Sequence, residues 1–174
     1  RKGEIGCTYA HYDSIQRSID ENVEYALIME DDVDFFLAPQ WPLSIPELVA
    51  RAPKGWDTIR LFVNRMPNEF DSLKQTASSN FSHAAKDSDT NCERSMFVKS
   101  DNKELATRLA YLVSKKGMLS FKKNSNNFTS CLFQTCSAID VDGFCYNAGK
   151  SVQHYYLRIP YFFPNSNGQS NTNP

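Results

Sequence analysis

The hydrophobic pattern near the start of the chain has a helical period. Apolar residues at i, i+3 and i+7, with polar residues between them, predict an amphipathic helix over residues 6–22; they are Tyr12, Ile15 and Ile19. Gly3 and Gly6 are expected to allow a tight turn before this helix. The continuous apolar run over residues 25–29 is typical of a short buried strand.

Strand and helix signals alternate along the rest of the chain. The predicted strands cover residues 56–63, 96–98, 105–113 and 154–163, and the predicted helices cover residues 47–51 and 115–123. Residues 105–113 also allow a helix. Ser114 is the expected N-cap of the helix over residues 115–123. Gly117 is expected to weaken that helix by up to about 1 kcal/mol.

This alternation favours an α/β layered architecture. At 174 residues, the chain is long enough for one domain with a real core, and we expect that domain to span residues 1–164. Residues 64–102 are polar and are predicted to form a long loop or insertion, in which residues 96–98 can be one strand of a hairpin. Residues 165–174 are predicted to be an irregular tail.

Four carboxylates lie within five residues directly after the strand at 25–29: Glu30, Asp31, Asp32 and Asp34. Such close negative charges repel one another, and this repulsion is tolerable only if solvent screens it or a cation lies among the carboxylates. Carboxylate oxygens are the preferred ligands of Mg²⁺ and Mn²⁺, and α/β sheets bind ligands just beyond the carboxyl ends of their strands. The run therefore predicts a divalent metal site, with Asp32 as the first ligand because it belongs to both Glu30-x-Asp32 and Asp32-x-Asp34. The alternative is a solvated turn, in which Asp31 faces away and caps the turn.

The charge balance and the hydropathy of the chain argue against nucleic acid as a main partner and against a membrane-spanning segment. Lys and Arg number 19 against 20 Asp and Glu, so the chain has no general field for polyanions, and nucleic acid is not expected as a main partner. No apolar run approaches the roughly 20 residues of a membrane span.

Two blocks of the sequence resemble glycosyltransferase family 25, the group that includes lipooligosaccharide and procollagen galactosyltransferases. Residues 3–11 (GEIGCTYAH) resemble the family's Gly-x-x-Gly-Cys-x-x-Ser-His, with Ala10 in place of Ser. Residues 25–33 (YALIMEDDV) resemble its apolar strand ending in Glu-Asp-Asp. Two weaker blocks follow, residues 110–117 (AYLVSKKG) and 142–146 (DGFCY).

The resemblance implies an A-type glycosyltransferase fold, which is a nucleotide-diphospho-sugar transferase-like α/β fold. It also implies Mn²⁺ or Mg²⁺, a UDP-sugar as the nucleotide-sugar donor, and galactose as the transferred sugar. The implied acceptor is a hydroxyl group of a glycan or a protein-linked sugar. Because the family's domain normally begins earlier, with a strand that holds the nucleotide base, we expect the fold to lack this N-terminal strand and the enzyme to be incomplete in this chain.

The same resemblance suggests roles for individual residues. His11 is expected near the donor phosphates, or alternatively packed against the strand, and Gly6 is expected to contribute backbone to a phosphate cradle. If the reaction inverts the anomeric carbon, Asp142 is the expected base that takes the acceptor's proton, with Asp140 in reserve. A solvated pair of loop acids is the alternative. Lys115 and Lys116 open a helix where an anion can bind, or are simply solvated.

Two other functions stay open at this point. One is a non-catalytic carbohydrate-binding or structural remnant of the same fold, and the other is a metal-dependent hydrolase that uses the acidic run. The expected compartment is the cytoplasm for a bacterial protein and the lumen of the secretory pathway for a eukaryotic one.

Overall fold

The computed structural model describes residues 2–62, 96–99, 110–125, 153–157 and 161–164. The helices are α1 (Lys2–Asp20), α2 (Ile45–Ala50) and α3 (Lys115–Ser125), with a short 3-10 turn over Ala38–Gln40. The strands are β1 (Tyr25–Met29), β2 (Val33–Asp34), β3 (Thr58–Arg60), β4 (Phe97–Lys99), β5 (Ala110–Ser114), β6 (His154–Leu157) and β7 (Phe163–Pro164).

Five of these strands form one mixed sheet in the order β1-β5-β3-β6-β4. β5 is antiparallel to both β1 and β3, β3 is parallel to β6, and β4 is antiparallel to β6. Strands β1, β3 and β6 therefore point in one direction. Their last residues, Met29, Arg60 and Leu157, mark the edge that we name the carboxyl edge. β2 and β7 pair separately as a two-stranded antiparallel ladder.

Apolar residues pack on both faces of the sheet. The helix face carries α1 and α3, and its buried cluster consists of Ile15, Ile28, Tyr111, Val113, Met118 and Phe121. The loop face carries the chain from β2 to α2, and its buried cluster includes Leu37, Trp41, Leu48, Ile59, Leu61, Leu112 and Leu157. Side chains alternate between the two faces along a strand, so Leu27 packs on the loop face and Ile28 on the helix face.

A strap of four residues, 161–164, joins the end of β3 to the chain that follows β1. The backbone N–H groups of Tyr161 and Phe162 donate to the Leu61 carbonyl at 2.7 and 3.2 Å. The Tyr161 ring stacks on Trp41 with centroids 5.1 Å apart. The strap then continues as β7, which pairs with β2.

Ser114 is the N-cap of α3, as the sequence predicted. Its hydroxyl accepts the Gly117 N–H at 3.1 Å and donates to the Trp56 carbonyl at 2.8 Å. Gly117 lies so close to the neighbouring chain that a Cβ there would overlap the Asp57 carbonyl oxygen. The start of α3 is therefore fixed to the residues that lead into β3.

The α/β class and the strand at residues 25–29 are confirmed. The segment 105–113, which also allowed a helix, forms strand β5 from Ala110, because its alternating side chains are buried on both faces of a central strand. The A-type assignment, the lack of an N-terminal strand and the domain boundaries at 1–164 stay predictions.

Two predictions are wrong in detail, and a third is only partly covered by the described residues. Gly3 and Gly6 form no turn before the first helix, because α1 already begins at Lys2. Strand β4 forms at residues 97–99 and pairs with β6, while the hairpin expected within 64–102 lies mostly outside the described residues and stays a prediction. The predicted strand over 154–163 is divided into β6 and β7, which belong to different sheets.

Candidate functional site

The acidic run forms a turn at the carboxyl edge, which we name the acidic turn (residues 30–34). β1 ends at Met29, and the chain turns through the next three residues into β2. The location matches the prediction, because the carboxyl ends of β1, β3 and β6 meet at this edge. The four carboxylates nevertheless have different surroundings.

Glu30 is bound by a histidine from α1. His11 is buried, and its Nε2 lies 3.3 Å from Glu30 Oε1. Its Nδ1 lies 3.1 Å from the hydroxyl of Tyr111, a buried residue of β5. A carboxylate can only accept, so Nε2 donates to Glu30, and the Tyr111 hydroxyl is the partner of Nδ1. Helix α1 and strand β5 together orient the first carboxylate of the turn.

Asp32 is partly buried, and one of its oxygens has no hydrogen-bond partner within the part of the chain that the structure describes. Burial raises the pKa of Asp32 above its ordinary value of 3.8, and the nearby negative charges of Glu30 and Asp31 raise it further. Oδ1 is the buried oxygen that accepts no hydrogen bond. Such an unpaired buried oxygen costs free energy unless a donor or a cation fills the place beside it.

Asp34 stabilises the turn itself. Its Oδ1 accepts the Phe36 N–H at 2.8 Å, the two-residue contact of an Asx turn. Asp31 is exposed. The turn-capping contact that the sequence analysis considered for Asp31 is thus made by Asp34.

These side chains test the fit of a divalent cation. Within residues 2–62 and the shorter described segments, no three His, Cys, Asp or Glu side chains converge as a metal-binding group. Mg²⁺-type ions need only one or two carboxylates when phosphates and waters supply the other ligands. The buried Oδ1 of Asp32 fits such a shared site, and the predicted metal site stays a prediction.

Comparison with known proteins identifies the family. The family model described as "Glycosyltransferase family 25 (LPS biosynthesis protein)" matches residues 1–144. The chain belongs to glycosyltransferase family 25. Neither the curated proteins nor the solved structures gave a match. The predicted resemblance and the enzyme class are confirmed, and the family implies a nucleotide-sugar and an acceptor as the partners of this glycosyltransferase.

None of the helices in the described part of this glycosyltransferase combines the length and apolarity that crossing a bilayer requires.

The lysine pair of the glycosyltransferase lies at the opposite edge of the sheet. Ser114 pairs with the first residue of β1, so Lys115 and Lys116 follow at the amino end of that strand. Lys115 forms an ion pair with Glu24 at 3.2 Å, and Lys116 lies 3.0 Å from the buried Asp57. An anion bound by this pair would lie away from the acidic turn.

The other predicted residues of the glycosyltransferase site are placed as follows. Asp140 and Asp142 lie outside the described residues. Gly6 is exposed within α1, so its N–H belongs to the helical hydrogen-bond ladder. His11 packs against β5, the alternative that the sequence analysis kept open. The roles of Gly6 and His11 toward a donor phosphate stay predictions.

Sequence reasoning missed Tyr111 and the two phenylalanines after the acidic turn. Tyr111 was read only as part of a strand, although a tyrosine in a buried strand needs a partner for its hydroxyl. Phe35 and Phe36 directly follow the acidic run, and each is about half exposed. The signal for this pair was the occurrence of two large apolar residues beside four acids.

Proposed function

We propose that this glycosyltransferase moves galactose from a UDP-sugar to a hydroxyl group of a glycan or other sugar acceptor, with Mn²⁺ or Mg²⁺ at the acidic turn of an A-type fold. The observation that supports this proposal is the buried Oδ1 of Asp32, which has no hydrogen-bond partner among the described residues and belongs to a carboxylate that Glu30 and Asp31 repel. A cation beside this oxygen would relieve the repulsion that the three acids otherwise share.

Within this proposal, Asp32 is the residue that holds the cation together with phosphate oxygens. A bound divalent cation neutralises the negative charge that develops on the leaving diphosphate. Glu30 is the second carboxylate, and His11 keeps it oriented by occupying Oε1. The buried histidine restricts the carboxylate to fewer positions before the donor binds. This restriction lowers the entropy cost of binding the donor.

The proposal keeps Asp142 as the base that accepts the acceptor's proton, with Asp140 in reserve. A positioned base typically contributes about 10²–10⁴-fold to the rate. The two single Asn variants, assayed for transfer and for donor binding, separate the two acids, because a base affects kcat while the metal and phosphates hold the donor.

The experiment is a screen of nucleotide sugars for hydrolysis and transfer with and without Mn²⁺, followed by calorimetric titration with Mn²⁺ and UDP. We expect UDP-galactose to be hydrolysed fastest and only in the presence of the metal. The Asp32→Asn variant should show no Mn²⁺-dependent UDP binding while remaining folded.

The matched control is Asp13→Asn, which removes one negative charge from an exposed ion pair with Arg17 on α1. UDP affinity should not change in this variant. Equal affinity of wild type and Asp32→Asn would remove the metal assignment. Binding of UDP-galactose without any turnover would favour the non-catalytic alternative.

A further inference from the structure

Two aromatic side chains are exposed beside the acidic turn. Phe35 and Phe36 follow the turn directly and are 54% and 52% exposed. Met29, the residue before the turn, is 39% exposed. Large apolar groups exposed together in this way usually mark a place where something binds.

The backbone that carries both rings is held in place. Asp34 accepts the Phe36 N–H, and β2 pairs with β7 immediately before Phe35. The Phe35 ring packs edge-on against buried Phe162, with centroids 5.3 Å apart and planes inclined by 77°. The Phe35 ring and the backbone of Phe36 are therefore held in place before any ligand binds, which lowers the entropy cost of binding.

The aromatic pair and the histidine approach the acidic turn from different sides. Phe162 belongs to the buried cluster of the loop face, whereas Tyr111, which binds His11, belongs to the cluster of the helix face. Glu30 is thus held toward the helix face, and Phe35 toward the loop face. Two substrates that meet at the acidic turn can therefore bind on different sides of it, one toward the helix face and one toward the loop face.

The size of the patch argues against a second protein chain as its occupant. A phenylalanine buries roughly 150–250 Å² when it is fully covered, so two half-exposed rings offer about 200 Å². A stable protein interface needs about 800 Å² from each partner. As far as the described residues extend it, the patch is too small to hold a dimer by itself.

The charge around the patch argues for a neutral ligand with hydroxyl groups. Exposed Asp31 and partly exposed Asp34 lie next to the rings, so an anionic lipid surface would be repelled. A pyranose ring has an apolar C–H face that can cover an aromatic ring, and hydroxyl groups that donate to carboxylates. Both features of the surface match this one ligand class.

We propose that Phe35 and Phe36 form the binding platform for the acceptor sugar, a neutral pyranoside whose C–H face stacks on the rings beside the acidic turn. This assignment rests on the proposed function, because it makes the loop face the acceptor side of the donor site. It adds the chemical class of the acceptor and the residues that recognise it.

Saturation-transfer NMR with two probes, methyl β-D-galactopyranoside and methyl β-D-glucopyranoside, tests the platform. We expect the wild-type protein to transfer saturation mainly to the protons on one face of at least one pyranoside. Phe35→Ala and Phe36→Ala should each weaken the affinity, and the double variant should lower it about tenfold, in keeping with the loss of ring stacking. Phe35→Tyr keeps a ring and should keep the affinity.

The control is Leu119→Ala, which removes a side chain that is also 50% exposed but lies on α3. It should leave the NMR signals unchanged. Calorimetric titration with Mn²⁺ and UDP should give equal donor affinity for all these variants, and a failure of that titration in the wild type would contradict the proposed function rather than the platform.

Three results would overturn the platform. The first is unchanged NMR signals in the double variant, and the second is no signal from either pyranoside with the wild-type protein. The third is binding of the wild-type protein to phosphatidylcholine vesicles that the double variant loses, because this would make the patch a lipid contact.

Discussion

At the scale of single residues, the acidic turn shows how neighbours in sequence acquire different chemistry. Glu30 is bound by His11, Asp32 is partly buried, and Asp34 caps the turn. The sequence was sufficient to place these acids in one turn after a strand. It could not assign their separate roles, because the environment of Glu30 depends on His11 and Tyr111, which lie on other elements.

The first prediction concerns the stability cost of Asp32. Burial, reinforced by Glu30 and Asp31, raises its pKa above 3.8. Between 3.8 and that raised pKa the unfolded chain loses its proton while the folded protein keeps it, so the free energy of unfolding falls as the pH rises. At pH 7 the raised pKa of Asp32 lowers the free energy of unfolding of the wild-type protein by its full amount. At pH values well below 3.8 this loss of free energy disappears, because the carboxyl group is protonated in both states.

We therefore expect Asp32→Asn to raise the Tm of the metal-free protein at pH 7, with a gain that shrinks as the pH is lowered toward 4. Scanning calorimetry across this range, with EDTA present, measures it. A variant with a lower Tm than wild type at pH 7 would show that the Asp32 carboxylate stabilises the folded protein, which contradicts a net cost from its burial and from the charges of Glu30 and Asp31.

The second prediction concerns the pair His11 and Tyr111. Residues that orient a metal-binding side chain typically change metal affinity by about 10–100-fold when they are replaced. His11→Ala should weaken Mn²⁺-dependent UDP binding within this range. Tyr111→Phe should have a smaller effect on binding and should lower the free energy of unfolding by about 0.5–1.5 kcal/mol, because one buried hydrogen bond is lost.

Tyr9→Phe is the control for that pair, since Tyr9 is 52% exposed on the same helix as His11. Removing its hydroxyl should change neither stability nor UDP affinity. Normal UDP affinity in His11→Ala would show that Glu30 has no part in the donor site.

At the scale of elements, two glycines within helices have opposite surroundings. At Gly6, no atom of the described residues beyond the surrounding helix backbone lies within 4 Å of where a Cβ would be, whereas a Cβ at Gly117 would overlap the Asp57 carbonyl. Sequence reasoning assigned Gly117 only its cost in helix propensity. The reason for the glycine is a contact between the start of α3 and the chain entering β3, which no local pattern shows.

The third prediction follows from this contrast. Gly6→Ala should raise the free energy of unfolding by up to about 1 kcal/mol, because alanine favours the helix and meets no neighbour. Gly117→Ala should lower it by about 1–3 kcal/mol, because overpacking against a backbone carbonyl exceeds the gain in propensity. Urea unfolding of both variants measures the two signs, and the same sign in both would contradict the packing of α3 on the residues before β3.

At the scale of the whole molecule, the periodic patterns predicted most of the described elements but not how they are arranged. The run of apolar residues at 25–29 was sufficient to predict strand β1, but the expected burial is wrong, because β1 is an edge strand of the described sheet and only Ile28 is buried. The order β1-β5-β3-β6-β4 depends on pairings between distant segments, which local periodicity does not encode. The strap was missed for the same reason, since residues 154–163 read as one continuous strand.

The fourth prediction concerns the strap. Tyr161 is buried, stacks on Trp41 and donates its N–H to Leu61. Tyr161→Ala should lower the free energy of unfolding by about 3–5 kcal/mol, in line with other buried aromatic truncations. Tyr161→Phe retains the stacked ring and should cost less than about 1.5 kcal/mol. Chemical denaturation measures both, and a loss below about 1 kcal/mol in the Ala variant would contradict a structural role for the strap.

The strap is also the last of the described segments to be synthesised. β7 follows every other strand in the described part of the chain, yet it is the partner of β2, the strand that the acidic turn leads into. A nascent chain on the ribosome therefore has its carboxylates and exposed phenylalanines long before it has the segment that fixes them. The pairing of β2 with β7 can form only after translation has passed Pro164, so a chain shortened before Phe163 lacks the ladder that follows the acidic turn.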